Sequence, residues 1–372
     1  MGKIYLIGDI HIGLGYPNST DKWYKTHKQY FNEFLIPTLK SRVEDGDIIV
    51  QLGDLFDNRN IIPIDLLNYG VDIVEEISRI APIHIIVGNH DLWSKSTSDI
   101  NSVRPLRYIP NVKIYSSVEK IEYDGKSILM MPYIDKKSEQ IKAIEDNKDC
   151  DYLFCHSDLN GCKMHLTSIA NKNLDKIDIE NFKYFSKVVS GHIHLVQTNK
   201  QFTFAGSIFQ MDRNDLGDQK GIFVLDTSNN LEFIPNNISP IFKKIKITTE
   251  SDIDQLDILK DTQDYIDLSI SNNLLISNRK LRRKLEVMLE KGNFTSIEYI
   301  DDITKELVDD ENVNESIIDE NGKEITIHLE YDTYIKDYIL NQKYSNDKFK
   351  SGVISEFDDI VKIYNENYKK ID

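Results

Sequence analysis

Only three cysteines occur in 372 residues, and Cys150, Cys155 and Cys162 are bunched rather than spaced as a framework. That excludes a small disulfide-stapled fold and leads us to expect a reducing cytoplasm. No apolar run is long enough to cross a bilayer, so no membrane association is expected. Met1-Gly2-Lys3 leads straight into the first apolar stretch, which leaves no spare segment for targeting. No phosphate-binding loop of the form GxxxxGKS or GxxxxGKT is present, so any dependence on ATP must come from a partner. Internal repeats are missing too. Positive charge is short: 45 Lys and Arg stand against 61 Asp and Glu, a formal net charge of −16. That balance argues against a protein that simply coats DNA, because backbone binding draws on clustered cations. Much of the acidic surplus lies in Tyr299–Asp332, however, and an average over the chain need not describe the face that meets a substrate.

What the chain does have is a series of apolar runs that each stop at a polar cluster. Lys3–Ile7 stops at Gly8-Asp9-Ile10-His11, Asp47–Leu52 at Gly53-Asp54, and Ile83–Val87 at Gly88-Asn89-His90-Asp91. Tyr152–Cys155 stops at His156, and Lys187–Val189 at Ser190-Gly191-His192-Ile193-His194. Short apolar runs bounded in this way read as buried strands. The intervening stretches, such as Tyr24–Leu39 and Ile64–Ile80, have helical periodicity. Strands alternating with helices make an α/β sheet, which presents ligands in the crevice beyond the carboxyl ends of its strands. Carboxylate, carboxamide and imidazole in one cluster, without paired thiolates, suit manganese, iron or zinc in a hydrolytic site. One carboxylate shared by two cations, with Asp54 the natural bridge, would set them roughly 3.5–4 Å apart over a phosphoryl group.

The set Asp9-x-His11, Gly53-Asp54, Gly88-Asn89-His90-Asp91, His156 and Gly191-His192-x-His194 resembles the calcineurin-like metallophosphoesterases over roughly residues 1–235. Within that superfamily the opening Gly8–Gly13, the run Gly53-Asp54-Leu55-Phe56-Asp57 and Ala205-Gly206-Ser207 are most similar to the SbcD-type nuclease subunits of DNA-repair complexes. Val87–Leu92 and Phe233-Ile234-Pro235-Asn236-Asn237 are closest to the recombination endonuclease subunits of tailed phages. The resemblance implies a four-layer α/β sandwich of two sheets flanked by helices, followed by a small α+β capping domain and a helical tail. It implies two divalent ions, manganese by expectation, one held by Asp9, His11, Asp54 and His194, the other by Asp54, Asn89, His156 and His192. His90 would then steady the scissile phosphate and protonate the leaving oxygen. It implies hydrolysis of DNA phosphodiesters at duplex ends and on single strands, a homodimer, and an SbcC-type coiled-coil ATPase as partner. The location would be cytoplasmic, that of the host cell if the chain is phage-encoded.

The chain departs from the family pattern at one position. Many SbcD-type subunits carry histidine three residues after the bridging aspartate, whereas this chain has Asp57. The related protein phosphatases place an aspartate there, so the expectation is an Asp57–His90 dyad that raises the basicity of the imidazole.

Each residue also has a plainer reading. Gly-Asp at a strand end is more often a turn than a ligand, and His27, His84, His165 and His328 read as surface or core filling. Asp91 reads as shaping its turn. Asp158 reads equally as a partner of the metal site or as a solvent-facing loop carboxylate. Four segments are expected: a metallophosphoesterase domain at 1–236, a capping and DNA-steering domain at 237–300, an acidic linker at 301–332 and a helical partner-binding segment at 333–372. In the second, strands at Ile241–Thr248, Tyr265–Ile270 and Phe294–Ile300 surround a helix at Ser277–Glu290. Its cations Arg279, Lys280, Arg282, Arg283 and Lys284 either steer DNA or form a solvated face. In the last segment an apolar stripe through Val353, Phe357, Ile360 and Tyr364 either binds the ATPase or packs on the chain's own core. Trp23–Leu39 supplies either a homodimer face or cover for the sheet. Two rival functions use the same residues: a phosphomonoesterase acting on small molecules or proteins, and a non-catalytic tether of DNA ends.

Overall fold

Strands whose apolar side chains point both ways need cover on both faces, and the architecture supplies it. The computed structural model describes residues 2–15, 21–94, 97–168, 175–258, 263–290 and 294–300, with two short strands beyond them. In chain order come β1 (Lys3–Ile7), α1 (Asp21–Gln29), α2 (Ile36–Arg42), β2 (Ile48–Gln51), α3 (Ile64–Ser78) and β3 (Ile83–Ile86). A hairpin of β4 (Leu92–Ser94) and β5 (Thr97–Asn101) precedes β6 (Val112–Tyr115), β7 (Glu119–Tyr123), β8 (Lys126–Met131), α4 (Lys137–Glu145) and β9 (Tyr152–His156). Then follow β10 (Lys187–Gly191), β11 (Gln197–Asn199), β12 (Phe202–Phe204), β13 (Gly221–Asp226) and β14 (Leu231–Pro235).

Two six-stranded sheets result, in the orders β14-β13-β1-β2-β3-β6 and β11-β12-β10-β9-β8-β7. The run β1-β2-β3-β6 is parallel, as are β8-β9-β10-β12, with antiparallel strands at the margins. The parity of β1 assigns the layers. Ile4 and Leu6 share a core with Ile128, Met130, Phe154 and Val189 of the second sheet. Tyr5 and Ile7 pack with Tyr30, Phe31, Leu35 and Leu39 under the helices. Leu129, Leu153 and Cys155 pack outward against Ile144 of α4 and Phe182. The order is therefore helix, sheet, sheet, helix, and each fully buried large apolar side chain contributes about 1.5–3 kcal/mol to holding it. All three cysteines are buried thiols without a disulfide.

The helical stretch expected at Tyr24–Leu39 is broken by a π-helical turn at Tyr30–Leu35. That turn re-aims the chain so that Tyr30, Phe31, Phe34 and Leu35 all face the first sheet. The apolar stripe is thus consumed as cover, the second of the two readings the sequence left open.

After residue 241 come β15 (Phe242–Ile247), α5 (Gln255–Ile258), β16 (Tyr265–Ser271), α6 (Asn272–Ser277), α7 (Arg279–Glu290) and β17 (Phe294–Ile300). The three strands form a parallel sheet in that order. On α7, Leu281, Leu285 and Met288 recur at the helical period and are buried beneath it, which leaves Arg279, Lys280, Arg282 and Arg283 exposed. The Arg213 guanidinium grips Asp267 of β16 with two bonds of 2.7 and 3.1 Å, and Thr26 Oγ1 lies 2.7 Å from the Tyr265 hydroxyl. These contacts dock the third sheet on the segments that precede it. The chain divides into compact units Met1–Asp301 and Asp302–Asp372. Of the second unit only an antiparallel pair, Ile317–Ile318 with Glu324–Ile325, is described. It falls within the expected acidic linker 301–332. The helical segment 333–372, and His328, lie outside the described residues.

His84 on β3 has its Nδ1 2.6 Å from the Tyr115 hydroxyl of β6 and stacks on that ring. Burial, and then the Lys113 ammonium, push its pKa down to about 4 from the ordinary 6.5. The folded state therefore disfavours a proton that the unfolded chain accepts. Its contribution is intact above pH 6.5 and is lost as pH falls from there towards 4, up to about 3 kcal/mol. His84→Leu, which cannot titrate, should gain in Tm relative to the wild type over that window; a Tm difference independent of pH would refute the assignment.

Candidate metal centre

Five strand ends deliver the clustered side chains to one place. Asp9 follows β1, Asp54 follows β2 and Asn89 follows β3, three adjacent parallel strands of one sheet; His156 closes β9 and His192 follows β10 of the other. The backbone is forced at these points. His11, Asp54 and His192 have φ of 51°, 55° and 82°, a left-handed conformation that costs of order 1–3 kcal/mol for a residue with a side chain. The motif glycines make room: a Cβ on Gly88 would stand 2.2 Å from Asp54 Oδ1, and one on Gly191 would stand 2.5 Å from Asp9 Oδ1. Ala205-Gly206-Ser207 closes the floor, because Gly206 O accepts from Asp9 N at 3.1 Å and Ile208 N donates to Asp9 O at 3.1 Å.

The side chains form two abutting sets. In the first, His11 Nε2 lies 3.1 Å from His194 Nε2, and His194 Nε2 lies 3.6 Å from Asp9 Oδ2. In the second, His156 Nε2 lies 3.2 Å from Asp54 Oδ2 and 2.9 Å from Asn89 Oδ1. Asn89 Oδ1 is also 2.7 Å from His192 Nδ1. Asp54 Oδ2 approaches both sets, with His11 Nε2 at 3.8 Å. All seven expected ligands are brought together, and all but His192 and His194 are buried.

These spacings fit cations. Ligand atoms ~2.1 Å from a common ion stand roughly 3.0–3.4 Å apart. The hydrogen bonding points the same way. The Leu52 carbonyl accepts from His156 Nδ1 at 2.7 Å, which fixes the proton there and aims the Nε2 lone pair at two oxygens. Lone pairs facing one another at that range need a cation or a second proton between them. Burial opposes charging His156, but the Asp54 and Asp9 carboxylates outweigh it and raise its pKa to about 9. Burial likewise works against the Asp54 charge, yet His156 and His11 hold this carboxyl far below the usual range. The buried carboxylates thus make the cluster favourable to positive charge, as a site for divalent ions requires.

Behind the ligands stands a set of orienting groups. Asp91 is fully buried, and its carboxylate accepts from the backbone N–H of Asp54 (2.9 Å), Leu55 (3.1 Å), Phe56 (3.2 Å) and Gly88 (2.9 Å). The sequence suggested a turn residue; Asp91 instead staples two ligand loops from different strands. Asp158 lies 3.1 Å from His192 Nε2 and 2.5 Å from Lys176 Nζ. Of its two readings, partner of the metal site is therefore the one observed. Nothing in the sequence singled out Lys176. Tyr133, also missed, sets its ring 5.8 Å from that of His192 and 6.3 Å from that of His156. His27 is core, with both ring nitrogens on backbone carbonyls, and His165 Nδ1 meets Thr167 Oγ1 of its local turn.

The expected Asp57–His90 dyad takes a different form. His90 Nδ1 donates to the backbone carbonyl of Asp57 at 2.7 Å, and the Asp57 carboxylate is 4.0 Å away. That carboxylate lies instead 3.0 Å from His11 Nδ1, without hydrogen-bond alignment. The φ of Asp54 turns the loop so that the main chain, rather than the side chain, of Asp57 meets His90. With Nδ1 committed, His90 Nε2 is the nitrogen left to face a substrate. His90 N also donates to Asp54 Oδ1 at 2.7 Å.

Asp91→Ala would strand four buried N–H groups at about 1–3 kcal/mol for each left unpaired. It should lower unfolding free energy by about 3 kcal/mol or more on that basis, and should reduce metal content in the purified protein; a loss below about 1 kcal/mol in urea titration would contradict the staple. Asp57→Ala should weaken metal binding about 10-fold, as loss of an orienting carboxylate does, measured by calorimetric Mn2+ titration. The dyad reading requires a fall in turnover with metal affinity unchanged.

The helices Asp21–Ser78 and the strands through β10 that carry this centre fall within residues 2–196, which match the calcineurin-like phosphoesterase family. Exonuclease subunit 1 of Enterobacteria phage T4 is 27% identical over 245 residues, covering 63% of this chain and 68% of that protein. The SbcD chain of the SbcCD nuclease of Staphylococcus epidermidis is 23% identical over 275 residues, covering 65% and 72%. Across the described residues no helix is long and apolar enough to cross a membrane. With just over half its length matched and two His/Asp sets at the strand ends, the chain belongs to the calcineurin-like phosphoesterases, a family of metal-dependent hydrolases.

Proposed function

We propose that the chain is a two-metal DNA nuclease that hydrolyses phosphodiesters in recombination and double-strand-break repair. The observation that carries this reading is the pair of abutting ligand sets meeting at Asp54 with His90 beside them. Asp9, His11, Asp54 and His194 would hold one ion, and Asp54, Asn89, His156 and His192 the other. Nitrogen and oxygen donors without thiolate suit manganese, iron or zinc, and manganese is the ion that the family resemblance implies. When bound, the ions supply Lewis acidity to the phosphoryl oxygens and make the attacking water more acidic.

The chain's own residues do the rest. Asp91 holds the Asp54 and Gly88 loops in register, and Asp57 and Asp158 orient His11 and His192 from behind. His90, with its Nδ1 proton committed to the Asp57 carbonyl, presents Nε2 to the scissile group. In the protonated form it donates there to the departing sugar oxygen. The choice of DNA as substrate is supported by two relatives named as exonuclease and nuclease subunits. An exposed row of Arg279, Lys280, Arg282 and Arg283 on α7 adds a cationic face within an acidic chain. A homodimer, and an SbcC-type ATPase bound through residues 333–372, complete the reading. Since the Tyr30–Leu35 stripe is already spent on the core, a dimer would use other surface.

End-labelled duplex and single-stranded DNA should be cut by the purified chain with Mn2+ and not with chelator. Asp54→Asn should lose both metal and cutting; His90→Gln should keep both ions and lose cutting by about 100-fold or more, on the order of a general acid's contribution. Full activity of His90→Gln would remove its role. Efficient turnover of nitrophenyl phosphate with no cutting of DNA would favour the phosphomonoesterase instead.

A further inference from the structure

Lys220 is a charged side chain with only 3% of its surface exposed. Its ammonium has three N–H donors and three oxygen neighbours: Asp215 Oδ1 at 2.9 Å, Asp218 Oδ2 at 2.6 Å and the backbone carbonyl of His194 at 2.7 Å. The carboxylates account for the charge, but a buried ion cluster is not in itself a gain in stability over apolar packing. The third contact is the informative one. His194 lies between strands: it sits three residues past Gly191, where β10 ends, and before β11 begins at Gln197. Its carbonyl accepts from Lys220 Nζ on one side and from Ser207 N, at 3.1 Å, on the other. Both lone pairs of that oxygen are therefore used. Ser207 in turn bridges to Asp9, the acidic member of the same ligand set. The Asn89–His156–His192 set has no contact with Lys220 among those described.

We propose that Lys220 is a positioning residue for His194. It fixes that ligand's main chain from below, so that metal affinity at the Asp9–His11–His194 position depends on Lys220 while affinity at the Asn89–His156–His192 position does not. This rests on the two-metal reading above.

The test is calorimetric Mn2+ titration of the full chain, with metal content counted at saturation. Removing Lys220 alone strands two buried carboxylates, so the main variant is Asp215→Asn with Asp218→Asn and Lys220→Met, which neutralises the whole cluster. A second variant is Lys220→Gln, which keeps one donor. Phe182→Leu, in the core outside the second sheet, serves as a control that lowers stability without touching His194. The expected result is that wild type binds two ions, and that the triple variant binds one of them about 10- to 100-fold more weakly, the range for lost orienting partners, with the other unchanged. Lys220→Gln should show a smaller split of the same kind. Equal weakening of both ions, as in the control, or no weakening at all, would overturn the proposal. A wild type that binds no Mn2+ would overturn the metal-centre reading, and this one with it.

Discussion

The metal centre depends on one carboxylate that belongs to neither ligand set. Asp91 gathers N–H groups from both the Asp54 loop and the Gly88 loop, and Asp54 lies 37 residues from it in sequence. Each loop leaves its strand in a conformation unable to bond to the sheet, so its donors need a partner in a region without water. A single buried acceptor meets that need for four of them. Burial and the neighbouring Asp54 charge raise the Asp91 pKa to about 7, so the staple works against its own desolvation. It is tolerable only because so many donors converge on it.

A second constraint is charge. Asp9, Asp54 and Asp91 are all buried, with the Asp54 charge acting on both of the others, and like carboxylates in a dry setting repel strongly. The imidazoles around them respond unevenly. His156 is drawn towards protonation by Asp54 and Asp9, while His194 is pushed well below its ordinary pKa by burial and by His11 and Lys220. Cation demand is therefore a property of the folded core. It also accounts for some of the negative balance that, on composition alone, weighs against a nucleic-acid substrate.

Much of this was legible because strand ends leave a mark. An apolar run terminated by a ligand, preceded by glycine in four of the five cases, shows where a parallel strand stops; that those strands divide between two sheets was what the family resemblance implied. Less visible were elements whose partners lie elsewhere in sequence. β7 alternates half-buried and exposed positions and is placed by pairing with β8 and by contacts with residues distant in sequence, such as Tyr123 with the Lys3 carbonyl; the three-residue strands β11 and β12 are too short to carry a period. The π-turn at Tyr30–Leu35 is set by packing against the first sheet. At the centre, side-chain identities were readable while backbone roles were not: the Leu52 and Asp57 carbonyls orient the His156 and His90 rings, and no residue type announces that. The Asp57–His90 pairing took its other form for the same reason.

His90 Nδ1 is tied to an amide oxygen that every amino acid possesses. The carboxylate at position 57 is thereby left closer to His11, at 3.0 Å, than to His90, at 4.0 Å. A lineage could exchange the residue there, and so change what His11 faces, while the His90 imidazole keeps its tautomer and its aim. Anchoring that ring to main chain makes the surroundings of the two histidines separately adjustable.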